Sequence, residues 1–110
     1  MGLVTSQIRL IYLNMYRHDL EYKIQFITQT KMNLTNNMLE LVQVGSDLDP
    51  DSPEVRMLEQ RKKRLELIEK KLDAEIERFK TMLNAVTTEI QSAEKMVEQN
   101  VKSSFTYGPK

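Results

Sequence analysis

Val44-Gly45-Ser46-Asp47-Leu48-Asp49-Pro50-Asp51-Ser52-Pro53-Glu54 separates two long heptad patterns. Before it, apolar d positions fall on Leu13, Leu20, Ile27, Leu34 and Leu41, with Arg17, Ile24, Lys31 and Met38 at a. After it, d falls on Leu58, Leu65, Leu72, Phe79, Val86 and Ala93, and a on Val55, Lys62, Glu69, Ile76, Leu83, Ile90 and Val97. A 3–4 alternation kept up this long describes helices that bury one narrow seam against another helix. The expected fold is therefore all-α, a long antiparallel helical hairpin with an acidic corner that contains proline and glycine.

The boundaries follow from local chemistry. The first helix is expected over residues 3–44, with Gly45 ending it in the left-handed conformation. The corner spans residues 45–52. Ser52 is placed to cap the second helix, Pro53 has no N–H to lose in a first turn, and Glu54 suits the positive end of the dipole. That helix should run over residues 53–103, leaving residues 104–110 as an irregular tail of a single helical-hairpin domain. A continuous rod is the competing picture, and two prolines with a glycine oppose it. The hairpin seam is assigned to Leu20, Ile24, Ile27, Leu34, Met38 and Leu41 on one arm. Leu58, Leu65, Leu72, Ile76, Phe79, Leu83, Val86, Ile90 and Val97 complete it on the other. Lys62 and Glu69 at a positions make the middle of the pair wetter than its open end.

The two arms differ in what remains outside the seam. The second is densely charged, from Arg56 and Glu59 through Lys70, Lys71 and Glu77 to Lys80. The run Arg61-Lys62-Lys63-Arg64 points around the whole helix and is read as a solvated surface, not a nucleic-acid stripe. Between residues 24 and 38 the first arm carries a single charge, Lys31, among Gln, Thr and Asn. Its first third adds Leu3, Val4, Ile8, Leu10, Ile11, Tyr12, Leu13, Met15 and Tyr16, more apolar surface than one partner helix covers. These nine residues are the candidate assembly interface, meeting other copies of the chain or a helical protein partner. A four-helix bundle formed by a simple dimer is the other way to hide a second stripe.

Chemistry is harder to find. The 16 basic and 16 acidic residues balance, which argues against a dedicated nucleic-acid binder. There is no cysteine, hence no disulfide framework and no thiolate. Asp47, Asp49 and Asp51 alternate as in a calcium loop, but Ser52 and Leu58 stand where that loop needs glycine and glutamate. His18, the one histidine, lies between Arg17 and Asp19 and is read as a surface or interface residue. No HExxH, GxSxG or phosphate-cradling loop occurs, so no catalytic residue, metal ligand or cofactor is assigned and the chain is expected not to be an enzyme. No stretch is apolar enough for a transmembrane span, and residues 1–16 lack the layout of a cleaved signal peptide. The expected location is cytoplasmic, or extracellular or at the cell surface by a route that does not read such a peptide.

The opening Met1-Gly2-Leu3-Val4-Thr5-Ser6-Gln7, then Asp19, Glu21, Tyr22 and Gln25, resembles the start of small, uncharacterised bacterial coiled-coil proteins. Glu98, Asn100 and Ser103-Ser104-Phe105 resemble their ends. In architecture the chain is similar to helical-hairpin subunits of type III secretion needles and filaments, and to the terminal helices of flagellar axial proteins. The resemblance implies paired N- and C-terminal helices, no cleaved signal peptide, buried helices that favour Asn, Gln, Thr and Ser, and assembly as a homo-oligomer. The charged second arm departs from the short needle subunit. A cytoplasmic chaperone or adaptor for an exported helical partner is the alternative.

Overall fold

The computed structural model describes the backbone of residues 2–106 and the side chains of residues 2–103. It is an all-α antiparallel hairpin of two helices, α1 (Leu3–Ser46, 44 residues) and α2 (Pro53–Thr106, 54 residues). Packing divides it into two units, Met1–Lys23 with Phe79–Lys110 and, separately, Ile24–Arg78.

In the first unit Leu13 and Leu20 pack with Val86, Ile90 and Ala93, all buried. Leu20 is the most enclosed, at 1% exposure. Leu10, Tyr16, Phe79, Met82 and Leu83 close around this cluster. The antiparallel register shows in two contacts. The Asn100 amide donates to the Ser6 hydroxyl at 3.0 Å, and the Lys23 ammonium sits 5.7 Å from the centre of the Phe79 ring. Ser6 occupies the d register one heptad before Leu13 and is buried. Its hydroxyl donates in turn to the Leu3 carbonyl at 2.9 Å, so a polar group inside the seam is satisfied from both sides.

The second unit is more open. Ile27 is buried there, whereas Ile24, Leu34, Met38, Leu41, Leu58, Leu65, Leu72 and Ile76 are half-buried. Lys62 at its a position is exposed and Glu69 is half-buried. Lys31, also at a, bridges the helices through an ion pair with Asp73. That hydrogen bond, helped by the charges of Asp73 and Glu69, holds the Lys31 ammonium above its ordinary value of 10.5, against some desolvation.

The corner is built as short-range chemistry dictates at one end and differently at the other. The Ser52 hydroxyl accepts from the Val55 N–H at 3.3 Å, which caps α2. Asp49 accepts from the Asp51 N–H at 3.2 Å, an Asx turn on the solvent side. The first helix does not end at Val44. It continues through Gly45 to Ser46, and Gly45 has no positive φ. The end is closed by i to i+3 bonds, from Asp47 N–H to the Val44 carbonyl and from Leu48 N–H to the Gly45 carbonyl, both 3.3 Å. A Cβ on Gly45 would stand 3.8 Å from Leu58, an ordinary contact, so close approach does not demand glycine there either. Likewise α2 runs three residues beyond Ser103 to Thr106, and the rest of the expected irregular tail, residues 107–110, lies outside the described residues.

Two outcomes test this packing. Leu20→Ala should cost about 3 kcal/mol in chemical denaturation followed by circular dichroism. Leu67→Ala, at an exposed position, should change stability by no more than about 0.5 kcal/mol. The Lys31 contact should favour the fold below about pH 10.5 and lose its effect as pH rises through the raised value of the folded state. The melting-temperature gap between wild type and Lys31→Met, scanned from neutral to strongly alkaline pH, should therefore close at the top of the range.

Candidate assembly surface

Around α1, at 100° per residue, Leu13 and Leu20 point into the pair and a second set points away from it. Val4, Ile8, Ile11, Tyr12 and Met15 fall in one sector about 100° wide, the width of an ordinary buried helix stripe. Each is between 61% and 68% exposed. All five lie within the first unit. Tyr22 follows in the same sector and is also exposed.

Of the nine residues expected at an assembly interface, these five do face outward. The other four do not. Leu13 is buried in the hairpin seam, and Leu10 and Tyr16 pack against the same core from its two flanks. Leu3 is half-buried beside them in register. The reason is geometric. A 3–4 seam occupies roughly a third of the helix circumference, and these four positions fall within or beside it, so α2 covers them inside the single chain. The residues assigned to the hairpin seam are each buried or half-buried.

The polar side chains around this surface are largely satisfied within their own helix. Asn14 donates to the Leu10 carbonyl at 2.9 Å. Farther along α1, Thr28, Thr30 and Thr35 bond the carbonyls four residues back, and Gln29 donates to Asn33 at 3.3 Å. Thr28, Gln29, Thr30 and Asn33 are exposed. Hydroxyls and amides bonded in this way carry less unmet hydrogen-bonding demand into a contact than charged groups would. Arg9 is exposed but falls outside this sector, and the charged groups resume at Arg17. Arg17 and His18 each reach Glu21 at 3.7 Å, and Lys23 pairs with Asp19 at 3.0 Å. Arg17, at an a position, carries an unmet hydrogen-bond donor. Its Nε is shut off from solvent with no hydrogen-bond partner, since Glu21 is too distant to accept.

Sequence reasoning missed the Ser6–Asn100 pair. The signal was present, because Ser6 stands seven residues before Leu13, but a serine at d reads as the end of a hydrophobic pattern. Among the described residues, no group of three His, Cys, Asp or Glu side chains is placed to hold a metal ion, and no helix is long and apolar enough to cross a membrane. Of the three aspartates at the corner, Asp49 accepts from the Asp51 N–H. Comparisons with protein-family models, curated proteins and solved structures returned no match. The fold and this surface therefore carry the functional reading.

Replacing Arg17 with leucine should remove the unsatisfied Nε while keeping the aliphatic packing. A gain of about 1 kcal/mol is expected from thermal or urea unfolding.

Proposed function

We propose that this chain is a non-enzymatic structural subunit that assembles with copies of itself, as the subunits of a helical filament or a secretion-linked appendage do. The observation that carries this reading is the outward apolar face of α1, lying opposite a seam that α2 already fills. Apolar side chains left two-thirds exposed on adjacent turns forgo stabilisation of about 1–2 kcal/mol each relative to burial. Five together on one helix face make an association site. The non-enzymatic part of the reading is supported by the sequence, which offers no nucleophile–base pair and no phosphate-binding loop. The architecture that resembles needle and flagellar subunits is consistent with it, since those assemblies bury helix faces between repeated copies.

A second reading rests on a different place. Val44, Leu48, Met57 and Leu58 line an open apolar groove of about 640 Å³, rimmed by Glu54, Arg61 and Arg64. A cytoplasmic chaperone or adaptor would use such a groove to hold apolar side chains from the helix of an exported partner.

The two readings separate by mass. A self-assembling subunit should gain molar mass with concentration in light scattering, and negative-stain images should show ordered particles. Combined replacement Val4→Ser, Ile8→Gln, Ile11→Gln, Tyr12→Gln and Met15→Gln should abolish this with helicity retained. Deleting residues 3–16 is not the right test, because it also removes Leu10, Leu13 and Tyr16 from the core. A wild-type chain that stays monomeric at high concentration would overturn the assembly reading.

A further inference from the structure

The outward face of α1 is itself a second heptad seam. Ile8, Met15 and Tyr22 recur at intervals of seven, and Val4, Ile11 and His18 interleave with them at spacings of three and four. The first set takes a positions and the second d positions of a register whose f positions are Ser6, Leu13 and Leu20, the buried residues of the other face. The geometry points to a contact in which this seam packs antiparallel against the same seam of a second copy, α1 against α1. This inference rests on the self-assembly reading and names the contact through which it begins.

Three observations select that occupant. The spacing fits knobs-into-holes packing, which only another helix supplies. The e and g positions flanking Val4 to Met15 are Thr5, Tyr12, Gln7 and Asn14, with no charge among them; Asp19 and Glu21 take these positions in the next heptad. Neutral flanks raise no like-charge clash between two copies and give a foreign charged helix nothing to recognise, so they suit self-pairing. The area is also sufficient. Five side chains at these exposures present roughly 500 Å² per copy, so that a pair buries about 1,000 Å², the lower bound for a specific interface.

The orientation follows from where the flanks of the seam become charged. A parallel pairing sets His18 against itself, with Asp19 and Glu21 of both copies clustered around it. An antiparallel pairing that overlays residues 4–15 on the same residues of the second copy brings Val4 beside Met15, and Ile8 beside Ile11. His18, Asp19 and Glu21 then lie outside the overlap, at opposite ends. Such a contact is isologous and closes on itself, so growth into a filament needs another surface in addition.

The chain has no cysteine of its own, which makes the contact open to cross-linking. Val4→Cys and Met15→Cys chains, mixed and oxidised, should form the mixed disulfide. Val4→Cys alone should not link to itself, because its two copies stand about 16 Å apart along the axis, beyond the reach of about 7 Å that a disulfide allows. The double variant Ile8→Gln, Ile11→Gln should weaken association at least tenfold in sedimentation equilibrium with an unchanged helical spectrum. Efficient self-linking of Val4→Cys would overturn the antiparallel pairing. Undiminished association of the double variant would overturn this contact and leave assembly through another face standing. A monomeric wild type would overturn both.

Discussion

Leu13 and Leu20 against Val86, Ile90 and Ala93 form the contact on which the rest of the first unit depends. A two-helix pair has no third element, so burial is confined to the one seam where the helices touch. Every apolar group outside that seam remains in water. This limit gives α1 its character. The helix carries one stripe that α2 can cover and another that it cannot, and no rotation of α1 hides both.

The two helices meet this limit differently. α2 surrounds its seam with Lys, Arg, Glu and Asp, whose hydrated heads keep the outer face soluble. α1 carries few charges and fills its outer face first with aliphatic and aromatic groups, then with Thr, Gln and Asn bonded along their own helix. Small polar devices set register and ends. The Ser6–Asn100 bond ties the first turns of α1 to the last turns of α2, and Ser52 starts α2 after the prolines. Satisfying a buried serine from across the seam makes a slipped register costly, because a slip would strand its hydroxyl.

On the proposed reading, stability and assembly draw on opposite faces of the same helix. Core positions can then be altered to test folding and outer positions to test association, with little crossover between them. Leu10, Leu13 and Tyr16 show why residue type alone does not make the distinction. They sit among Ile8, Ile11, Tyr12 and Met15 in the chain and match them in hydrophobicity, yet they belong to the core.

The heptads from Leu13 to Leu41 and from Leu58 to Val97, broken by Pro50 and Pro53, were enough to read a hairpin, because a 3–4 spacing has one economical packing and proline has no N–H to continue a helix. Ser52 as a cap was legible for the same local reason. Which of nine clustered apolar residues would face outward was not, since two stripes a half-turn apart blur into one apolar stretch until the position of α2 divides them. Nor was the passage of α1 through Gly45, which depended on which short-range bonds closed the corner. Neighbours along the chain set the spacing and the stops. The choice between the inside and the outside of α1 required the second helix in place, because burial depends on what lies opposite a side chain, not on what adjoins it in sequence.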